Sequence, residues 1–333
     1  MSRSMLRLSA LMALTLLIPT SGAWAHCFVG SRFFPATLAI EDPCVADELS
    51  LPTVSIFKNG DDPSARQIDI SGEFSKRITD SFGVSIGSTW THLRLPGGPN
   101  ASGFQNLETT FKYQFLTEPV HELVMSFGLS VEWGRTGSAS VGGEPFTAYA
   151  PTLFIGKGFG DLPDSVGALR PFAVTAQVAY AIPGRRSTTI FGIDSDTGDQ
   201  TIDVEFNPHV LAWGGSLQYS MPYLKSNVTD LGLPDFFNRL IPVVEARFQT
   251  PVANTFTSGN GTTGTINPGL IWVGNYFQVA AEAIIPINRA SGSGVGGMVQ
   301  LHMYLDDIFP NSIGKPLFGT PVNSGRPISG SRS

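Results

Sequence analysis

The sequence alternates apolar and polar residues over long stretches, and this pattern restricts its possible folds more than any other feature. One such stretch carries apolar residues at every second position: Leu123, Met125, Phe127, Leu129, Val131 and Trp133. The residues between them are small or polar except Val124. Successive side chains of a strand point to opposite faces, whereas a helix would mix the two sets. The stretch therefore predicts a β-strand with one apolar face.

The same period of two recurs along the chain, at residues 68–75, 107–115, 172–182, 242–249, 277–285 and 295–305. These segments are longer than the usual strand of a globular protein, which has about five or six residues. At ~3.3 Å per residue and a tilt of ~40°, a strand of about twelve residues rises roughly 30 Å, the thickness of a bilayer's hydrocarbon core. The lengths therefore favour a membrane barrel over a soluble sandwich.

The connections between these segments alternate between tight and long. Tight turns occur near Thr79, Glu118 and Gly274, and long loops rich in Gly, Ser and Thr separate them. Bacterial barrels place short turns in the periplasm and long loops outside. A strand that descends to Thr79 needs one before it, for which residues 52–59 are the candidate. We therefore predict an all-β, antiparallel, up-and-down transmembrane barrel of about twelve strands over residues 52–306, with periplasmic termini.

The N-terminus has the three parts of a cleaved secretory signal peptide: Arg3 and Arg7, an apolar stretch, and Ala23-Trp24-Ala25. Residues 1–25 are assigned to it. Residues 26–51 are predicted to plug the lumen or to lie beneath it, and residues 307–333 to form a tail. Only 14% of residues are charged, which suits an outer surface in contact with lipid. The predicted location is the bacterial outer membrane.

The two cysteines of the chain both precede the predicted barrel. In an exported protein, Cys27 and Cys44 indicate a disulfide. A metal site is the alternative, although no cluster of His or Cys accompanies them. After cleavage, His26 would offer an α-amine and an imidazole, a pair suited to copper. Copper titration of the mature protein with and without His26→Ala tests that second metal hypothesis.

Charged residues also occur on the inward face of the predicted strands. We expect these to line the lumen, where they either pass a small solute or cross-link the wall: Asp69, Glu73, Glu108, Lys112, Glu132, Glu245, Arg247, Glu282 and His302. Four tryptophans lie on the outward face and are predicted to mark the membrane interfaces: Trp90, Trp133, Trp213 and Trp272.

Other function classes find little support. The five histidines fall in no recognisable Ser/His spacing, and hydrolase, zinc-protease and phosphate-loop motifs are missing. No catalytic residue and no cofactor is predicted. The net charge of −6 argues against nucleic acid as a partner. The expected partners are membrane lipid and a small solute, and the oligomeric state stays open.

The layout resembles a broad group of bacterial outer-membrane proteins called transporters, which includes the family associated with the meta-cleavage pathway of phenol degradation. The likeness covers residues 52–306 and rests on four segments: Pro171-Phe172-Ala173, residues 214–219, Glu245-Ala246 and residues 301–305. It implies passive uptake of small, hydrophobic or aromatic compounds, and it carries over no functional residue. A barrel without flux, whose outer loops bind a partner, is the alternative. An outer-membrane enzyme is the third candidate.

Overall fold

The computed structural model describes residues 27–60, 64–193, 200–256 and 261–319. Twelve long antiparallel strands in these residues form a single closed barrel, which confirms the predicted fold. The last strand pairs with the first, which closes the ring of twelve strands. The strands are β1 (Glu48–Lys58), β2 (Arg66–Arg77), β3 (Phe82–Arg94), β4 (Leu107–Glu118), β5 (Leu123–Trp133), β6 (Ala148–Gly158), β7 (Phe172–Pro183), β8 (His209–Tyr219), β9 (Leu240–Ala253), β10 (Thr263–Val273), β11 (Phe277–Pro286) and β12 (Gly296–Tyr304).

Shorter elements decorate the two ends of the barrel. On the N-terminal side of β1, Phe28–Val29 pairs with Arg32–Phe33. Ala101–Phe104 extends the sheet beside β3, and Ser187–Ile193 pairs with Gln200–Phe206 in the loop after β7. The helices are α1 (Met221–Asn227), α2 (Asp235–Asn238) and α3 (Leu305–Ile308), with 3₁₀ turns at Ala139–Val141, Asp164–Leu169 and Arg289–Ser291. No helix in the described part of the chain is both long and apolar enough to cross a membrane.

The ends of the barrel differ slightly from the predicted boundaries. The first strand begins at Glu48 rather than at Pro52, because the ladder continues on both sides of the proline. The pairing with β2 shifts register between Ser50 and Thr53, so the proline lies in a bulge where its missing N–H leaves no gap in the ladder. The last strand ends at Tyr304 rather than at Asp306, because α3 follows immediately.

Apolar side chains cover the outer face of the barrel. Large apolar residues are exposed on one parity of every strand, among them Ile70, Ile86, Leu129, Leu153, Val178, Leu217, Val244, Leu270, Val279 and Val299. A closed barrel with such a band satisfies its backbone internally and presents hydrocarbon to lipid. The structure is thus that of a bacterial outer-membrane barrel.

The predicted tryptophans lie on this same parity. Trp133 and Trp213 are 43% and 41% exposed. Trp90 shares its strand face with Ile86, and Trp272 shares its face with Leu270. The ring of Trp272 also stacks near Phe236 of α2, at 6.4 Å between centroids. Their role as markers of the membrane interface stays a prediction.

The two ends of the barrel have different connections. The tight turns at residues 78–81, 119–122 and 274–276 lie at one end, together with the longer connections 159–171 and 220–239. The long loops lie at the other end. The loop-length rule predicts that the first end faces the periplasm, and this end is called the periplasmic end below. Glu48 and Tyr304 pair with each other at that end, so the chain enters and leaves the barrel at the periplasmic end.

Candidate functional site: the barrel lumen

Residues 27–47, called the plug below, lie against the inner wall of the barrel. Their backbone groups bond to six inward side chains from five strands: Glu245, Gln177, Gln114, Lys112, Ser126 and Gln278. Glu245 and Gln177 each lie five residues from the periplasmic end of their strands. Buried backbone groups need such partners, because the plug makes few strand bonds of its own. The plug therefore lies inside the lumen, where side chains of the wall hold it.

Glu245 makes more hydrogen bonds to the plug backbone than any other of these partners. Its carboxylate accepts hydrogen bonds from the backbone N–H groups of Leu38, Ala39 and Ile40, at 2.8, 2.9 and 3.1 Å. The side chain is fully buried, and Glu282 is buried beside it. Charge-assisted bonds to a carboxylate are stronger than neutral ones. Glu245 thus holds a turn of the plug against β9.

The predicted disulfide between Cys27 and Cys44 is present and closes the plug into a loop. Asp42 lies close enough to both sulfurs to suggest a three-ligand metal site. The sulfurs are bonded to each other, however, and Asp42 accepts a hydrogen bond from the Cys44 N–H at 2.8 Å. The metal alternative for this cysteine pair is therefore wrong. His26 lies outside the described residues, so its copper hypothesis stays a prediction.

A buried arginine fastens the start of the plug to the periplasmic turns. The Arg32 Nε lies 3.0 Å from Glu122, and Nη1 donates to the carbonyl of Pro171 at 2.9 Å. The guanidinium also covers the ring of Tyr223, 3.8 Å from its centroid. Burial lowers the pKa of Arg32, and the negative charge of Glu122 opposes that shift. The same surroundings, chiefly burial and Glu122, raise the pKa of Tyr223 to about 12.

The segment after β12 adds a second contact layer at the periplasmic end. Arg77 pairs with Asp47 through Nε at 2.6 Å and donates through Nη2 to the carbonyl of Gly314. The backbone N–H groups of Leu317 and Phe318 bond to carbonyls of residues 77 and 78. Residues 305–319 therefore lie across the β2–β3 turn, beside the exit from the plug into β1.

A cavity of about 480 Å³, called the vestibule below, lies against the plug inside the barrel. Six of the nine charged residues predicted for the lumen line it: Glu73, Glu108, Lys112, Glu132, Arg247 and His302. Asp69 lies elsewhere on the wall, where it accepts from Thr91 at 2.7 Å. Glu245 and Glu282 are buried against the plug. Which of these residues act on a solute remains a prediction.

The vestibule also contains residues that the sequence analysis missed. Glu41 and Asp42 come from the plug, which carries no periodic pattern that would place them. Neutral amides from the wall, including Gln177 and Gln300, complete the lining. Their inward strand parity is a signal in the sequence that places them in the lumen.

The structure also joins three residues at the seam where the barrel closes. The hydroxyl of Ser50 lies 2.7 Å from His302 Nδ1, and Nε2 of the same ring lies 3.3 Å from Glu48. Ser50 is 252 positions from His302, so a search by spacing could not find the contact. The set joins β12 to β1.

Comparison with known proteins gives fold-level similarity alone. No family model matches the chain, and no curated protein matches it. Among solved structures, an outer-membrane channel from Pseudomonas putida F1 is 11% identical, with 82% of this chain and 99% of that chain covered and a TM-score of 0.48. The KdgM porin is 12% identical, with 76% and 98% covered and a TM-score of 0.44. Similarities at this level say nothing about the solute of this chain.

Proposed function

We propose that this protein is an outer-membrane channel for small polar solutes, and that the plug closes its periplasmic side at rest. The vestibule carries this proposal. It provides about 480 Å³ of space inside a membrane barrel, and its wall is built from carboxylates, hydroxyls and amides. Membrane barrels with a polar interior pass water-soluble compounds.

The lining also bears on the kind of solute. The resemblance seen in the sequence implies hydrophobic or aromatic compounds. An apolar solute in the vestibule would displace water from groups such as Glu108 and Arg247 without replacing its hydrogen bonds, which costs free energy. A polar solute can replace those bonds. Polar solutes are therefore the better match to this interior.

Passage requires the plug to move. Its contacts with the wall include hydrogen bonds, which a partial withdrawal can exchange for water. They also include apolar packing of Phe33 and Phe34 against residues of the wall, which withdrawal would lose. The Cys27–Cys44 bond restricts the plug to a compact loop. Reduction of that bond lets the two ends of the loop separate, so reduction should loosen the closure.

A second candidate is a barrel that transports nothing and binds a partner through its outer loops. Two observations favour it. The plug and residues 305–319 both lie at the periplasmic end, where they stand in the path of a solute. The hairpin after β7 exposes Phe191 and Ile202 at 76% and 64%. Large exposed apolar side chains are typical of interaction surfaces.

Liposome swelling with small sugars distinguishes these candidates. We expect slow influx through the wild-type protein and faster influx after treatment with a reductant. The double variant Cys27→Ser/Cys44→Ser is the matched control: its influx should be fast from the start and unaffected by reductant. If folded wild-type and double-variant barrels both admit no sugar, the channel proposal is wrong and the second candidate gains support.

A further inference from the structure

The vestibule has more negative than positive charge. Its lining contains six carboxylates and three cations, an excess of three negative charges: Glu41, Asp42, Glu48, Glu73, Glu108 and Glu132 against Lys76, Lys112 and Arg247. Walls of one sign in a narrow, partly dry passage concentrate ions of the opposite sign. The bias therefore favours cations and repels anions.

Most of the positive charge is already paired. The ammonium of Lys112 lies 3.1 Å from Glu41, and the ammonium of Lys76 is paired with Asp47. Among the described residues, Arg247 and Glu108 make neither an ion pair nor a hydrogen bond through their side chains. Glu73 receives one long hydrogen bond, from Ser75 at 3.3 Å. In the described part of the chain, the carboxylates of Glu73 on β2 and Glu108 on β4 thus make no direct ion pair, although Lys112 and Arg247 lie near enough to interact with them.

The neutral side chain of Gln300 is a second indication of a ligand, and it does not depend on the charge of the lining. Gln300 lines the vestibule and is 7% exposed. Its amide nitrogen donates to Thr53 Oγ1 at 3.0 Å, while its carbonyl oxygen has no hydrogen-bond partner. A buried acceptor without a donor is unfavourable, and native proteins rarely leave one so. A ligand that carries N–H donors would satisfy it.

The register of the strands places Gln300 near the unpaired carboxylates. Gln300 pairs with Thr53 across β12 and β1, and Thr53 pairs with Ser71 across β1 and β2. Glu73 follows on the same face of β2, two residues further on. The carbonyl oxygen and the carboxylate therefore belong to one side of the vestibule.

We propose that the vestibule is a binding site for small organic cations with primary ammonium groups, held by Glu73, Glu108 and Gln300. An ammonium has three donors and no acceptor, which matches a wall of carboxylate, carbonyl and hydroxyl oxygens. The inference names the solute class of the channel proposed above. Binding itself needs access only to the vestibule, so it can be measured whether or not the solute crosses the barrel.

Isothermal titration calorimetry of the full, folded protein in detergent tests the proposal. Putrescine is the probe, and succinate and butane-1,4-diol are four-carbon dianionic and neutral counterparts. We expect putrescine alone to bind, with an affinity that falls as salt is added. Glu73→Gln and Glu108→Gln should each weaken binding about fivefold, the Boltzmann factor for a charge pair roughly 4 Å apart in water. Arg247→Gln should tighten it.

The control variant is Asp230→Asn, which removes an exposed carboxylate at the periplasmic end and should leave binding unchanged. Heat-modifiable migration on gels establishes that each variant is a folded barrel. Absence of putrescine binding, succinate binding of equal strength, or wild-type affinity in both Gln variants would each overturn the inference. Sugar influx is measured separately. If putrescine binds but sugar does not enter, the channel proposal is wrong and the binding site stands. If sugar enters but putrescine does not bind, the binding site is wrong and the channel proposal stands.

Discussion

Replacement of Arg32 by methionine breaks the buried attachment between the plug and the periplasmic turns. Arg32 is fully buried and donates to Glu122, Pro171 and Arg170. Methionine keeps a long unbranched stem that can still pack on the Tyr223 ring. The substitution thus removes the charge and the hydrogen bonds while it preserves most of the packing.

The size of the effect follows from what remains after the substitution. Removal of one partner of a buried ion pair costs about 3–5 kcal/mol, because the other charge stays buried without its partner. Glu122 keeps a hydrogen bond from the N–H of Gly160 at 3.0 Å, which places the cost near the lower end. A loss of ~3 kcal/mol in docking free energy raises the population of the undocked plug roughly 150-fold, since 1.4 kcal/mol is tenfold.

Amide hydrogen exchange followed by mass spectrometry measures that population directly. Exchange in peptides that cover residues 34–46 should accelerate by about two orders of magnitude in Arg32→Met, and exchange in the strands should not change. Arg239→Met is the matched control: it breaks an ion pair at the same end of the barrel with Asp235, whose side chain is 67% exposed, and such a pair is worth about 1 kcal/mol. Plug exchange within threefold of wild type in Arg32→Met, or equal acceleration in both variants, would refute this account of docking.

Three further predictions concern other parts of the molecule. Glu245→Gln should raise sugar influx in liposomes. The carboxylate accepts hydrogen bonds from three N–H groups of the plug, whereas the amide of glutamine has one acceptor oxygen and an N–H₂ group that cannot accept. Unchanged influx would contradict the anchoring role of Glu245. Burial acts to raise the pKa of Asp161, but hydrogen bonds from Lys157 and His121 outweigh it and hold that pKa below its usual value. The stabilisation of the folded state by the ionised Asp161 is therefore complete above the unfolded pKa of about 3.9 and disappears as the pH falls through the lower folded pKa. Carboxyl NMR titration of Lys157→Met should show an upward shift of the Asp161 pKa. Leu129→Arg on the lipid face should lower the stability of the folded barrel by about 2–4 kcal/mol near mid-membrane. Its folding yield into liposomes should therefore fall, and the control Ser130→Arg, on the inward face, should fold with a higher yield.

The barrel could be predicted because each strand carries its own evidence. In β5, the alternation from Leu123 to Trp133 specifies both the secondary structure and the face that meets lipid, without reference to any distant residue. Turn lengths then indicated the number of strands, whereas the periplasmic side of the termini stays a prediction from the same rule. The predicted start of β1 at Pro52 differs from the observed start at Glu48: proline is common as the first residue of a strand, whereas here a bulge accommodates it within the strand.

The contents of the lumen could not be predicted in the same way. The plug has no hydrophobic period, since its backbone is held by single side chains from many strands. The contact between Ser50 and His302 depends on barrel closure and joins opposite ends of the chain. Contacts of this kind depend on which strands become neighbours in three dimensions, and this cannot be predicted from the local sequence.

Strand parity alone also assigns one role to residues that the structure separates into two. Glu245 and Glu108 both point inward, and the sequence treats them alike. The plug reaches the level of Glu245, so this carboxylate is buried and binds the N–H groups of the plug. Glu108 borders the vestibule, where water reaches it and no partner pairs with it. Contact with the plug therefore separates the two residues: the plug covers Glu245, which anchors it, whereas Glu108 stays open to the vestibule, where we propose that it binds a solute.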